Sequence, residues 1–383
     1  MNIAEPKMKT TLTHSAIEQG NYGLKGFSLL ATMMLILFSD QVYAQQSFFF
    51  HRIDYAAHGG FIAPHQSTMR HLTKGHFVMQ HLSLSGKARG QFAWHQVYNF
   101  PEMGLNFLYT RLAYPDVLGE AYSLFPHVLL RITGNDRFGL YARHGLGIAY
   151  LTKVFDLNDN FRNNAIGSHF NIALNMSVES RWNFHSGWTV ITGMSLTHFS
   201  NGRVQTPNKG INIPGFKLAL AWDFIPQAAA IKEFPELPHE RKPTVIFMAT
   251  SGTSASYPPG SAFNRRMSLN TTANFPLGKK VRLGAGYDFF RSEHKIKIPG
   301  EFDQTGFFSL HGLHLAFQQD FSRMAFVIQK GVYVYDKRDF SENRYYHRAG
   351  FRYNVYRNFL LNLTLKTHFF KAETIEWGLG YML

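Results

Sequence analysis

The chain has 383 residues and a formal net charge of +14, with 36 Phe, 18 Tyr and no cysteine. The lack of cysteine excludes disulfides and thiolate metal sites, so an exported fold must be held in another way. The basic balance comes without a basic-aromatic recognition motif, which argues against nucleic acid; it serves solubility or, were the chain an outer-membrane protein, attraction to anionic lipid headgroups and phosphorylated lipopolysaccharide.

Residues 1–44 read as a secretory signal. Lys25 precedes the apolar run Phe27–Phe38, and Val42-Tyr43-Ala44 supplies a small-residue cleavage site. The run is too short for a membrane helix, which needs about 20 apolar residues. A start at Met8 would shorten the leader, and the exported chain is expected to begin near Gln45.

From Gln45 onward the chain alternates with period two, the pattern of half-buried strands. Val281, Leu283, Ala285, Tyr287 and Phe289 oppose Arg282, Gly284, Gly286 and Asp288. Phe359, Leu361, Leu363 and Leu365 oppose Asn362, Thr364, Lys366 and His368. Ile375, Trp377, Leu379, Tyr381 and Leu383 end the chain on one apolar face. Apolar-out, polar-in alternation indicates an all-β, transmembrane antiparallel β-barrel, in which closure pairs every backbone group. About 16 strands are expected. One large barrel is the first reading, and two tandem eight-stranded barrels are the alternative.

Tight turns at Gly134-Asn135-Asp136 and His185-Ser186-Gly187 contrast with long polar stretches at 58–75, 153–168, 201–210 and 294–304. Barrels of this kind keep short turns on the periplasmic side and long loops outside. The segment 225–241 carries three prolines, Pro226, Pro235 and Pro238, and breaks the alternation. It reads as a periplasmic connector between a first half, 45–224, and a second, 242–383.

The chemistry is expected at Thr197–Pro214. On the strand leading outward, Trp188, Val190, Met194 and Leu196 share a face with His198 and Ser200. On the returning strand, Phe216, Leu218, Leu220 and Trp222 share a face with Asn212. Strand parity therefore puts base, nucleophile and orienting group on one lipid-facing rim. Ser200 would attack an ester carbonyl while His198 takes its proton and Asn212 holds the imidazole. Backbone N–H groups of Asn201 or Gly202 would meet the oxyanion.

The run His198-x-Ser200-Asn201 followed by Pro207-Asn208-x-Gly210-Ile211 resembles the lipid A 3-O-deacylase (PagL-type) family, also described as acyloxyacyl hydrolases. That resemblance implies an enzyme of the Gram-negative outer membrane that removes an ester-linked acyl chain from lipid A. It makes His198 the base and Ser200 the nucleophile. The family carries glutamate where this chain has Asn212.

The run His198-x-Ser200-Asn201-Gly202-Arg203 is also similar to outer-membrane phospholipase A, which uses serine, histidine and asparagine. This second resemblance implies a phospholipid substrate, a homodimer and a calcium ion. Arg203 matches that family's calcium-loop arginine, but Gln205 stands where a ligand aspartate would fall, leaving Asp156 or Asp159 as oxygen donors. No cofactor is therefore expected, and Arg203 reads as a contact for the substrate headgroup. A non-enzymatic porin or structural barrel is the remaining alternative, because lumen residues such as Arg282, Lys366 and His368 would serve packing or a pore equally.

Overall fold

The computed structural model describes residues 50–90, 92–185, 187–225, 241–256, 259, 263–296, 304–336, 344–369 and 371–383. The signal segment 1–44 and nearly all of the connector 225–241 lie outside them. The first eight strands are β1 (Arg52–Phe61), β2 (His76–Lys87), β3 (Glu102–Arg111), β4 (Glu120–Gly134), β5 (Phe138–Leu151), β6 (Phe170–His185), β7 (Trp188–Ser200) and β8 (Ile211–Asp223). They pair in chain order, and β1 closes on β8. The second eight are β9 (Thr244–Ala255), β10 (Phe263–Leu277), β11 (Val281–Ile296), β12 (Gln304–Phe321), β13 (Met324–Asp336), β14 (Tyr345–Tyr356), β15 (Phe359–His368) and β16 (Lys371–Met382). These close β16 on β9.

The strands therefore form two closed barrels of eight, not the single large barrel read first from sequence. Period-two alternation reports which face a residue takes and says nothing of which strands meet at the seam. A further correction concerns His58, Gly59 and Gly60, read as loop. They belong to β1, where buried His58 is a lumen residue and polarity is what the interior requires.

Both barrels expose an apolar belt. Met194 is 76% exposed on the first and Leu315 is 70% exposed on the second, each among many large apolar neighbours. A water-facing surface would not sustain such belts. Paired with complete closure of the backbone ladder, they are the outer surface of outer-membrane β-barrels. Among the described residues no helix is long and apolar enough to cross a membrane.

Inside, each barrel is filled with charge. In the first, Arg143 donates to Ser83 and Asn106 and faces Asp54 and Glu179 at 3.4 Å. Lys217 and Arg181 each reach Glu179 at 2.9 Å, and Arg181 reaches Glu102 at 2.8 Å. In the second, Arg348 donates to Asp288 and to Glu376, both at 2.6 Å, and Lys366 pairs with Glu373 at 2.9 Å. Unpaired buried charge is prohibitively costly, and these five cations are met by carboxylates. These side chains pack each lumen as a core.

The first barrel also has an apolar cap. Loops 62–75, 112–119 and 152–169 send Ile62, Met69, Leu72, Leu112, Val117, Leu118 and Ile166 into a cluster with Phe125, Phe199, Ile211 and Ile213 from the strand ends. Full burial of such a side chain is worth about 1.5–3 kcal/mol. The cluster fixes the loops that surround the end of β7, where the candidate site lies.

Candidate active site

β7 and β8 alternate as the sequence implies. Thr189, Ile191, Ser195, Thr197 and Phe199 are buried toward the lumen, while Met194, Leu196, Phe216, Leu218 and Trp222 are exposed on the outer wall. The register pairs His198 directly with Asn212, so their side chains rise together from that wall. Directly opposed residues on one face stand close enough to bond. A slip of β8 by one residue against β7 would turn Asn212 into the lumen and away from His198.

Three side chains meet there. His198 Nε2 lies 3.0 Å from Ser200 Oγ, and His198 Nδ1 lies 2.6 Å from Asn212 Oδ1. For the imidazole to take a proton from Ser200, Nε2 must carry the lone pair and Nδ1 the hydrogen. Asn212 Oδ1, an acceptor, enforces that tautomer. Ser200 shares the outward parity of His198, yet it is only 7% exposed. The returning loop folds back over it.

Gly210 explains how close that loop comes. Its φ is +74°, and a Cβ there would stand 2.8 Å from His198 Cε1 and 3.3 Å from Ser200 Cβ. Only glycine suits both the left-handed backbone and the space. Its N–H donates to the Ala165 carbonyl at 3.0 Å, which ties it to the β5–β6 loop. Asn208 Oδ1 accepts the Asn201 backbone N–H at 3.0 Å, and Asn201 Nδ2 donates to Ser168 Oγ at 2.8 Å. Of the two backbone groups expected to meet an oxyanion, the Asn201 N–H is therefore engaged by Asn208. Gly202 and Arg203 follow in the turn with φ of +63° and +69°.

One participant was not singled out from sequence. Asn212 Nδ2 lies 3.1 Å from His65 Nδ1. The loop after β1 continues the β1–β8 ladder, with the Ala63 N–H donating to the Asn212 carbonyl at 2.9 Å. His65 lies two residues further along the outward parity of Tyr55, Ala57, Gly59 and Phe61. Burial, aided by the Lys209 ammonium, pushes its ring below the ordinary histidine value, and the ring is also bonded to the Lys209 backbone.

Of the residues suggested for calcium, Asp156 is engaged within its own loop. Asp156 Oδ1 accepts the backbone N–H groups of Asn158 and Asp159 at 2.8 and 3.0 Å. Those donors, Asp159 first, hold its carboxyl below the usual value. Among the described residues no three His, Asp or Glu side chains gather as metal ligands. Calcium ordinarily requires six to eight oxygens, several of them from carboxylates.

Two family models match the sequence. Residues 80–221 match the family described as lipid A 3-O-deacylase (PagL), and residues 244–383 match the acyloxyacyl hydrolase C-terminal domain. No curated protein matches the chain. Among solved structures, the outer membrane enzyme PagL is 17% identical, covering 45% of this chain and 98% of its own, with a TM-score of 0.30. The FrpB iron transporter from Neisseria meningitidis is 8% identical over 80% of this chain and 63% of its own, with a TM-score of 0.22. Omp33 from Acinetobacter baumannii is 6% identical over 87% of this chain and 99% of its own, with a TM-score of 0.17.

Proposed function

We propose, for a chain that belongs to the lipid A 3-O-deacylase (PagL) family over its first barrel and carries the acyloxyacyl hydrolase C-terminal domain as its second, an esterase that cleaves an acyl chain from lipid A with Ser200 and His198. The observation that carries this reading is the unbroken row Ser200–His198–Asn212 on the membrane-facing wall, with spacings of 3.0 and 2.6 Å. A substrate reached from that wall is a membrane lipid. The basic balance of the chain, +14, suits the phosphates of lipid A.

In this mechanism Ser200 Oγ attacks the ester carbonyl as its proton passes to His198 Nε2. The developing imidazolium is stabilised by its Nδ1–H bond to Asn212 Oδ1. With the Asn201 N–H held by Asn208, we assign the Gly202 N–H to the oxyanion. Collapse of the tetrahedral adduct expels the sugar hydroxyl, which takes the proton from His198. Water then attacks the acyl-serine, with His198 again the base, and the fatty acid leaves. Arg203, in the same turn, is assigned to the phosphorylated headgroup. No step is routed through calcium.

The third member of the row supports a second substrate reading. An asparagine beside the histidine is the arrangement that resembles outer-membrane phospholipase A, so phospholipid esters are the competing substrates. Mass spectrometry of lipids from cells expressing wild type and Ser200→Ala separates the two. Loss of one ester-linked chain from lipid A only in wild type supports the deacylase. Lysophospholipid appearing in its place supports the phospholipase, and identical lipids in both strains would remove both readings.

A further inference from the structure

Asparagine in the orienting position creates a problem that a carboxylate does not have. An amide presents oxygen on one side and NH₂ on the other, and a half-turn of the group exchanges them. With NH₂ toward His198, Nδ1 would have to accept. The imidazole hydrogen would then sit on Nε2, and Ser200 would face no base. A carboxylate offers two acceptors, so its half-turn changes nothing.

We propose that His65 is a positioning residue that holds the Asn212 amide with its oxygen toward His198. The inference rests on the Ser200–His198 reading above. With Oδ1 spent on His198 at 2.6 Å, the outward Nδ2 needs an acceptor, and His65 Nδ1 lies 3.1 Å away. The ring bonds the Lys209 backbone as well; in this proposal that bond keeps the ring hydrogen on Nε2, so that the bare Nδ1 faces Asn212 Nδ2 at 3.1 Å. The Ala63–Asn212 backbone bond sets the loop that carries His65. Lone pair and hydrogen thus alternate along His65, Asn212, His198 and Ser200, and each group fixes the sense of the next.

The test uses the full-length protein in detergent micelles. Nitrogen NMR of labelled histidine should show the Nδ1–H tautomer for His198 in wild type and a mixture in His65→Ala. Lipid A deacylation should fall about tenfold in kcat with KM unchanged, the scale of one lost orienting hydrogen bond. His65→Gln keeps an acceptor and should recover most of the rate. His65→Lys can only donate and should not. In an Asn212→Asp background, His65→Ala should change kcat by less than about twofold, because a carboxylate has no sense to lose.

An equal penalty for His65→Ala in both backgrounds would mean that His65 only supports the loop, and the proposal would fall. A single His198 tautomer that survives His65→Ala would also overturn it. If Ser200→Ala deacylates like wild type, the Ser–His reading fails, while the tautomer measurement still decides the role of His65.

Discussion

The two barrels share an interior plan and differ on their outer walls. Each has a buried arginine at the centre of its lumen, Arg143 in the first and Arg348 in the second, held by carboxylates from other strands. The seventh and eighth strands of the first barrel, β7 and β8, carry His198, Ser200 and Asn212 outward and are joined by the loop 201–210. In the second barrel the corresponding strands follow one another closely, β15 ending at His368 and β16 beginning at Lys371. Their outward residues Phe359, Leu361, Leu363, Leu365, Ile375, Trp377 and Leu379 are apolar, with Thr367 near the turn. The comparison separates two features: the lumen network is common to both barrels, whereas the long loop 201–210 that returns to the wall beside the proposed site belongs to the first.

The largest expected effect falls on that wall. Ser200→Ala or His198→Ala should lower lipid A deacylation by at least about 10³-fold. Both variants should keep the heat-modifiable gel mobility of a folded barrel. Loss of that mobility would place the pair among the structural residues, and the contrast between wall and lumen would fail.

Next comes the lumen of the second barrel. Arg348→Met strands Asp288 and Glu376 without their cation, which should cost about 3–5 kcal/mol in urea unfolding. Deacylation by the protein that remains folded should match wild type, measured per folded molecule. A matching loss of turnover would show that the second lumen serves the chemistry.

Gly210→Ala should act in the opposite sense. The added Cβ would push on the His198 ring at a left-handed position. A kcat lower by about 10- to 100-fold with little change in unfolding is expected, because a displaced base is lost to catalysis while the strands stay paired.

A smaller effect concerns the turn between β2 and β3. His95, in a short helix at Ala93–Val97, is buried with neither ring nitrogen bonded among the described residues, and burial pushes its value down to about 4. The unfolded ring takes its proton near pH 6.5, so stability should decline as pH falls from there and level off near 4. His95→Phe should remove that slope and raise stability by about 1–2 kcal/mol at pH 5, as seen in urea midpoints. The smallest effect is that of a chelator. EDTA should change deacylation by less than about twofold, since Gln205 is neutral and Asp156 is committed to its own turn. A strong loss would reinstate calcium.

Much of the wall was legible in sequence, and the seam was not. Alternation along Trp188–Ser200 and Ile211–Asp223 is local, so it assigned His198, Ser200 and Asn212 to one face before any fold was known. Which strand lies beside β8 is a long-range fact. In one large barrel β1 would neighbour β16, and His65 would be remote from the site. In a barrel of eight, β1 lies against β8, and the outward parity of β1 delivers His65 to Asn212 across 147 residues of chain. The Asn201 N–H was legible as a turn donor, but its acceptor, the side chain of Asn208, depends on how loop 201–210 folds. The lumen residues could be read as polar, yet packing and pore look alike until Lys366 is seen against Glu373 and Arg282 against Asp320.

The closed lumens have a kinetic consequence. Paired side chains pack both lumens and the proposed row of Ser200, His198 and Asn212 faces outward, so under that proposal substrate would meet the outer wall by moving sideways within the leaflet. The relevant concentration is then molecules per unit of membrane area, and bulk concentration matters only through it. Diluting lipid A with inert detergent at fixed bulk amount should slow turnover in proportion to its falling mole fraction. Neighbouring lipids that crowd the wall should slow it as two-dimensional competitors.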